Sequence, residues 1–342
     1  MHRLSDFDYD LPSAQIAQHP LPDRSASRLL VLERANGTMR HLHFSDLPEL
    51  IPARDVLVIN TSRVIPARLH GTRDSGNPAE LLLVREQADG TWLAMGHPGG
   101  KLKPGRRVTF GDDSAADILE VLGGGLRRVR FCGALDARAT LAKYGAVPLP
   151  PYIRRAPDDA DRKRYQTVYA AHEGSVAAPT AGLHFTPELL ANLYTRQVRV
   201  ASLDLHVGPG TFKPVETEEI SAHPMHAEAF EISPGAAEWI NHALDRDRKV
   251  WAVGTTVVRA LESAANADGR IQPSSGETAL FIRPPYDFKI VGRLITNFHL
   301  PRSTLLMLVC AFGGYEPVMA AYREAVQKGY RFYSYGDAML IL

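Results

Sequence analysis

Several features that would narrow the functional class are scarce or absent in this 342-residue sequence. Its two cysteines, Cys132 and Cys310, lie among apolar neighbours, so neither a disulfide framework nor a cysteine-based metal site is expected. The longest apolar run, Leu305 to Phe312, is eight residues long, too short to span a membrane. The acidic start MHRLSDFDYD has no secretory h-region. A reducing cytoplasm and no membrane association are therefore predicted.

The common nucleotide-binding fingerprints are also missing. No G-x-G-x-x-G follows an apolar strand, and no Gly-Lys-Ser/Thr P-loop is present. Internal repeats and low-complexity segments are absent too. Any ligand site must therefore be read from other features of the chain.

Charge is balanced overall but unevenly distributed. The formal net charge is +1, while residues 67–147 hold 12 Lys and Arg against 9 Asp and Glu. Short basic runs occur at KLKPGRR (101–107), LRRVR (126–130) and DRKRY (161–165). Such runs are typical of solvated surfaces, but they also mark where a polyanion would dock.

The spacing of apolar residues changes twice along the chain. Between about Leu69 and Phe131, short alternating stretches separated by glycine turns predict a small β-barrel or sandwich. On both sides, apolar strands alternate with amphipathic helices, which indicates an α/β layer. We therefore predict a large mixed α/β domain (residues 1–66 and 148–342) with a small β-barrel domain inserted at 67–147. PLPPYIRR (148–155) would be the stiff return linker.

Four segments share a strand, a small or polar turn and a helix or Gly-rich loop: VWAVGTTVVRALES, APTAGLHFTPELL, LHVGPGTF and TNFHLPRSTLLML. In an open α/β sheet such loops line the crevice where ligands bind. In the first, Gly254 allows the turn, Thr255 or Thr256 is expected to cap the helix, and Arg259 would face the same crevice. That arrangement suits a carboxylate or phosphate; the alternative is a capped helix with a surface arginine.

The other three segments each present a histidine. Small residues around His184 would bring the backbone close to a planar ligand, with His184 at its edge; a buried, hydrogen-bonded imidazole is the alternative. Thr186 is predicted to cap the helix that follows. His206 enters the Gly-rich turn of LHVGPGTF. In TNFHL, Asn297 and His299 precede a helix that Ser303 would cap.

Two further segments have a different character. HPMHAEAFEI places His223, His226 and Glu228 close together, which permits a zinc site, although no cysteine assists and no known ligand spacing is present. GYRFYSYGDAM sets aromatic residues beside Arg331, a pattern that stacks bases or packs a core. From the residues alone, the sequence predicts a transferase or hydrolase of a polar or anionic ligand.

Several long runs, taken together, resemble one known family. They are DFDYDLPSAQIAQHP, RVIPARL, YQTVYA, GSVAAPTAGLHFT, LHVGPGTFKPV, VGTTVVRALES, TNFHLPRSTLLMLVCAFGGY and YRFYSYGDAML. In content and order they are similar to the S-adenosylmethionine:tRNA ribosyltransferase-isomerases of queuosine biosynthesis. The resemblance extends over the whole chain.

The resemblance implies a specific reaction. Members of the family transfer and isomerise the ribosyl moiety of S-adenosylmethionine onto an aminomethyl-deazaguanine at the wobble position of tRNA. The products are epoxyqueuosine-tRNA, adenine and methionine. Family membership further implies a monomeric cytoplasmic enzyme with a barrel inserted in an α/β domain, S-adenosylmethionine as co-substrate, and no metal, prosthetic group or obligate protein partner.

Roles for individual residues follow as hypotheses. His184 is the first candidate for acid or base, and His206, His226 and His299 are candidates for the remaining proton transfers. Thr255, Thr256 and Arg259 would hold the methionine carboxylate, and Tyr335 and Asp337 would stack on and hydrogen-bond to the wobble base. The other residues predicted to bind substrate are Arg63, Thr180, Gly182, Gly208, Gly210, Gly254 and Asn297.

The sequence departs from the family pattern at one place, and it also permits two other functional classes. Where the family has Asn, then Asn or Asp, then Thr-Arg, this chain has Asn60-Thr61-Ser62-Arg63, so any polar contact at the second position would come from a hydroxyl. The first alternative class is a metal-dependent hydrolase centred on His223, His226 and Glu228. The second is a non-catalytic tRNA-binding protein that uses the basic insert.

Overall fold

The protein is described by a computed structural model that covers residues 2–208, 210, 215, 217–220, 223, 225 and 227–342. These residues form 18 strands and eight α-helices. The strands are β1 (Arg28–Glu33), β2 (Thr38–His43), β3 (Val56–Asn60), β4 (Ser62–Val64), β5 (Arg68–Arg73), β6 (Pro78–Glu86), β7 (Trp92–His97), β8 (Arg107–Phe110), β9 (Ser114–Val121), β10 (Leu126–Gly133), β11 (Gly145–Ala146), β12 (His172–Ser175), β13 (Arg199–Leu205), β14 (Glu228–Ile232), β15 (Val250–Val253), β16 (Ser274–Thr278), β17 (Arg293–Asn297) and β18 (Ala338–Ile341). The helices are α1 (Leu47–Leu50), α2 (Ala137–Tyr144), α3 (Asp159–Arg164), α4 (Pro187–Thr195), α5 (Pro234–Leu244), α6 (Thr255–Ala264), α7 (Thr304–Gly313) and α8 (Tyr315–Gln327).

A nine-stranded sheet forms the centre of the large domain. Its order is β16-β14-β13-β3-β15-β17-β18-β1-β2, with β13, β3, β15 and β17 mutually parallel. Helices cover both faces of the sheet. Since successive residues of a strand point to opposite sides, one strand contributes side chains to two cores. Leu30 and Leu32 of β1 pack in the core that includes α5 to α8, while Leu29 and Val31 pack in the core that includes α1 and α4.

The inserted segment closes into a barrel. Its sheet has the order β11-β5-β6-β7-β10-β9-β8, and an additional antiparallel pairing of β5 with β8 closes the ring of strands from β5 to β8. Alternate residues of β6 are buried, which fills the interior with apolar side chains such as Leu81 and Leu83. The strands all lie between Arg68 and Ala146, inside the segment 67–147 predicted as the insertion. The predicted fold class, a mixed α/β domain carrying a small β-barrel, is confirmed.

The topology brings several loops to one edge of the nine-stranded sheet. The carboxyl ends of the parallel strands β13, β3, β15 and β17 meet there. The 3-10 turn Thr180–His184 contacts β17 and joins them. A ligand crevice is expected at this edge.

No described helix is long and apolar enough to cross a membrane alone. The helices α7 and α8 reach that length and composition only as a pair bent by 117°.

Candidate functional site

A cavity of about 250 Å³ lies at the carboxyl edge of β15 and β17. Three loops supply most of its walls: the segment before the 3-10 turn, the β15–α6 turn and the β17–α7 loop. Of the predicted site residues, it contains Thr180, Gly254, Thr255, Thr256, Asn297 and His299. Three of the strand–turn–helix segments singled out in the sequence therefore meet at one cavity.

The β15–α6 turn differs in one respect from the prediction. Gly254 itself is the N-cap, at φ +94°, and no side chain caps the helix, so the expectation that Thr255 or Thr256 would cap α6 is wrong. The two threonines are instead the first residues of the helix and line the cavity. The Thr256 hydroxyl is buried and has no hydrogen-bond partner. The positive end of α6 and a free hydroxyl thus face the same space.

The β17–α7 loop contributes a histidine that lines this cavity. His299 is buried, and its Nε2 lies 2.8 Å from Thr296 Oγ1. Burial lowers its pKa to about 3, so the ring is neutral at physiological pH. Ser303 Oγ accepts a hydrogen bond from the Leu306 amide at 3.2 Å, which confirms the predicted cap of α7. A second helix N-terminus therefore opens at the cavity.

Asn297 presents a fixed amide to the cavity. Its Nδ2 lies 3.1 Å from His184 Nε2 and donates to the Tyr333 carbonyl at 3.2 Å. Since a carbonyl can only accept, the amide nitrogen must point that way. The Asn297 Oδ1 is left buried with no partner in the protein. It is an acceptor without a donor.

His184 lies behind Asn297 and is not among the residues that line the cavity. Its Nδ1 is 2.7 Å from Ser27 Oγ, and its ring stacks on Phe44 with centroids 4.9 Å apart. Burial, assisted by Arg24 and Arg331, lowers its pKa to about 3. The geometry matches the alternative of a buried, hydrogen-bonded imidazole.

Two tyrosines that the sequence did not single out as ligands form an aromatic wall. The rings of Tyr152 and Tyr333 lie 4.2 Å apart, and both residues line the cavity. Tyr333 has φ +72°, and its hydroxyl is buried without a partner. A positive φ is strained for an aromatic residue, and residues with such strain are concentrated at functional sites. The aromatic run 330–335 was the sequence signal, but the backbone conformation was not predictable.

Arg259 lies elsewhere and is already paired. It forms a buried salt bridge with Glu228 and donates to the carbonyls of Leu280 and Thr278 at 3.0 and 3.2 Å. Glu228 in turn accepts from the Gly208 amide at 3.0 Å. In this arrangement Arg259 braces the loop after β13 and does not face the cavity.

Tyr335 and Asp337 are buried and partnered within the protein. The Tyr335 hydroxyl donates to Asp161 Oδ1 at 2.7 Å, and burial raises its pKa. Asp337 accepts from the backbone amides of Arg28 and Arg331 at 2.9 and 2.8 Å. In this conformation neither side chain is free to meet a base.

Gly182, Arg63 and Thr61, which the sequence analysis named, make contacts within the protein. A Cβ on Gly182 would lie 2.1 Å from the Tyr169 hydroxyl, so the glycine allows close packing. The Arg63 guanidinium donates to the Ala170 carbonyl at 2.5 Å. Thr61 donates to Asp204 Oδ1 at 2.9 Å, so its hydroxyl already has an acceptor in the protein.

His206, Gly208 and Gly210 lie at a second cavity, of about 410 Å³, between the barrel and the large domain. We call it the interdomain cleft. His226 lies outside the described residues. Among the residues that are described, no group of three His, Cys, Asp or Glu side chains could hold a metal ion.

Comparison with known proteins places these features in one family. A family model described as a queuosine biosynthesis protein matches residues 4–341. An S-adenosylmethionine:tRNA ribosyltransferase-isomerase of Moorella thermoacetica is 53% identical over 99% of this chain and 100% of its own length. The protein of the same name from Anaeromyxobacter dehalogenans is 52% identical over 99% of both chains.

A solved structure is similar as well. It is the S-adenosylmethionine tRNA ribosyltransferase of Thermotoga maritima, which is 38% identical, with a TM-score of 0.57 over 98% of this chain and 100% of that one.

Proposed function

The chain belongs to the family of queuosine biosynthesis proteins, and from that premise we propose that it transfers and isomerises the ribosyl moiety of S-adenosylmethionine onto an aminomethyl-deazaguanine in tRNA. The products would be epoxyqueuosine-tRNA, adenine and methionine. The relatives named above carry S-adenosylmethionine and tRNA in their names. We further propose a cytoplasmic monomer that needs no prosthetic group or obligate protein partner.

One observation supports the placement of S-adenosylmethionine. Three buried polar groups with no partner among the described residues belong to the 250 Å³ cavity: the hydroxyls of Thr256 and Tyr333 and the amide oxygen of Asn297. Buried polar groups are nearly always hydrogen-bonded to protein, ligand or ordered water, so these three are available to a ligand. Their surroundings combine an aromatic wall with helix N-termini.

The two ends of S-adenosylmethionine have chemistry that suits these surroundings. Its carboxylate is an anion and would be stabilised at the N-terminus of α6, where Thr255 and Thr256 lie. Its adenine is flat and apolar on both faces, which suits the wall of Tyr152 and Tyr333. The amino group of adenine would then donate to the Asn297 amide oxygen.

The proton transfer is assigned to His299 in this proposal. A sulfonium acidifies the adjacent carbon, and a base must remove a proton there. His299 lines the cavity, and its neutral ring can accept a proton. Because burial lowers its pKa to about 3, the ring is a weak base in the free protein. His184, which was the first candidate, would instead position Asn297 from behind.

Mass spectrometry tests the reaction directly. An anticodon stem-loop carrying the aminomethyl-deazaguanine would be incubated with the protein and S-adenosylmethionine. We expect a mass gain of one epoxide-bearing cyclopentane ring, with adenine and methionine released in equal amounts. An unchanged mass with intact stem-loop binding would contradict catalysis and support the role of a tRNA-binding protein.

A further inference from the structure

We propose that the interdomain cleft binds the tRNA base that carries the aminomethyl group, with the ammonium held at Glu173 and the base edge at Trp92 and His206. This inference rests on the proposed function and deepens it. The cleft has about 410 Å³ and is lined by residues of both domains. A base in an anticodon loop can leave its stack and enter such a pocket, at a cost of a few kcal/mol.

The cleft adjoins the cavity assigned to S-adenosylmethionine. Val207 lines both. Its backbone is fixed, because its amide donates to Ser175 Oγ at 2.9 Å and its carbonyl accepts from the Val176 amide at 2.9 Å. Ligands on the two sides would be separated by the thickness of one residue. Two substrates that must react with each other require this proximity.

The charges in the cleft favour a cation over a phosphate. Three of its carboxylates are paired with arginines: Glu86 with Arg138, Glu228 with Arg259 and Glu277 with Arg85. Glu173 also lines the cleft, and no described residue forms an ion pair with it. Among the described residues of the cleft, the arginines are paired with carboxylates and the exposed Glu173 is not, so a primary ammonium is attracted and a backbone phosphate is not.

Uncharged polar groups complete the site. Trp92 lines the cleft, and its buried indole Nε1 has no hydrogen-bond partner among the described residues. His206 Nδ1 is also buried and unpartnered. Burial lowers the pKa of His206, so the ring is neutral and adds no positive charge beside the ammonium. A donor and a neutral imidazole suit the carbonyl and N–H groups of a purine-like base.

Binding measurements can separate the ammonium from the rest of the RNA. The probes are two anticodon stem-loops that differ only at the wobble position, one with aminomethyl-deazaguanine and one with guanine. Fluorescence anisotropy gives the Kd of each at a fixed salt concentration. We expect the wild-type protein to bind the aminomethyl stem-loop about tenfold more tightly, the effect of one charge-assisted contact.

Glu173→Gln should reduce that ratio to near one while leaving the Kd for the guanine stem-loop unchanged. Trp92→Phe should weaken both stem-loops equally, by about threefold, because it removes one neutral hydrogen bond to the base. Glu238→Gln is the matched control, since it removes an exposed carboxylate of α5 outside the cleft. Calorimetry with S-adenosylmethionine should give wild-type affinity for all three variants, which shows that they are folded.

If Glu173→Gln still bound the aminomethyl stem-loop tenfold more tightly than the guanine stem-loop, the assignment of the cleft would be overturned. Equal Kd values for the two stem-loops in the wild type would overturn it as well. The mass-spectrometric assay on the same wild-type protein keeps the two proposals apart. If the stem-loop is modified but the two stem-loops bind equally well, only the assignment of the cleft is rejected. If the two stem-loops bind with different affinity but no modification occurs, only the proposed reaction is rejected.

Discussion

The orientation of the Asn297 amide in the cavity is fixed by hydrogen bonds to two other residues. Asn297 is turned by His184 and the Tyr333 carbonyl so that its oxygen remains free. The Ser27 hydroxyl has two neighbours: it donates to the Arg24 carbonyl at 3.3 Å, which leaves it an acceptor for His184 Nδ1–H. His184 is then the Nδ1-protonated tautomer, whose Nε2 accepts from Asn297.

His184→Phe should raise the KM for S-adenosylmethionine up to about tenfold and leave the pH dependence of kcat unchanged, because the ring acts through Asn297. Asn297→Ala should give a similar rise, and the double variant little more. Nitrogen NMR of the wild type should show a protonated Nδ1 and an unprotonated Nε2. A collapse of kcat with a lost pH limb would instead make His184 the acid or base.

For His299 we expect an effect on kcat and not on KM. His299→Gln should lower kcat by about 10²- to 10⁴-fold with a KM within a few-fold of wild type, since general base catalysis contributes that much. Steady-state kinetics with saturating stem-loop measures both constants. His43→Gln, at a histidine that does not line the cavity, serves as the control. An unaltered kcat in His299→Gln would remove this residue from the chemistry.

At the scale of elements, one buried ion pair holds three of them together. Arg259 of α6 joins Glu228 of β14 and the carbonyls of Thr278 in β16 and Leu280 just beyond it. Glu228 then holds the loop after β13 through the Gly208 amide. A long stretch of the sheet edge therefore depends on one guanidinium.

Arg259→Leu should lower the free energy of unfolding by about 3 to 5 kcal/mol, because it removes the guanidinium that compensates the charge of the buried Glu228 carboxylate. Urea denaturation measures the change. The matched control is Arg270→Leu, which breaks the exposed pair with Asp245 and should cost about 1 kcal/mol or less. Equal losses in the two variants would contradict the structural role of Arg259.

Elements were predictable where their signals are local. The strands of the barrel and the helix caps at Thr186 and Ser303 depend on neighbouring residues, and the structure has them as predicted. The Thr186 side chain accepts from the Leu189 amide at 3.1 Å. The spacing of apolar residues and the preference of hydroxyls for N-caps suffice for such predictions.

Side-chain partners were not predictable in this way. The two hydrogen-bond partners of His184 lie 157 and 113 residues away in the chain. The orphaned atoms of Thr256 and Tyr333 likewise depend on which groups the fold leaves nearby. A sequence motif identifies a loop at the site, but only the folded chain decides which of its side chains face the ligand.

For the whole molecule, the two buried histidines link stability to pH. Their pKa values fall from 6.5 to about 3 on folding, because burial disfavours the charged ring. Between these values the unfolded chain binds more protons than the folded one, so the free energy of unfolding decreases as the pH falls from about 6.5 towards 3. The stabilisation is complete above pH 6.5.

In His184→Phe, the slope of the unfolding free energy against pH over that range should be smaller by about 1.4 kcal/mol per pH unit. Chemical denaturation at a series of pH values measures the slope. His70→Asn, at a histidine whose side chain is 64% exposed, should leave the slope unchanged. An unchanged slope in His184→Phe would show that His184 is protonated in the folded protein.

The position of β18 between β1 and β17 sets an order on assembly during synthesis. All strands of the barrel lie within 68–146 and can pair once that stretch has emerged from the ribosome. The large sheet must wait, because Arg28 at the start of β1 bonds to Asp337, 309 residues later. Tyr333 and Ser334, which line the 250 Å³ cavity, lie shortly before that late strand. A nascent chain therefore holds every strand of the barrel long before it holds every residue that lines the 250 Å³ cavity.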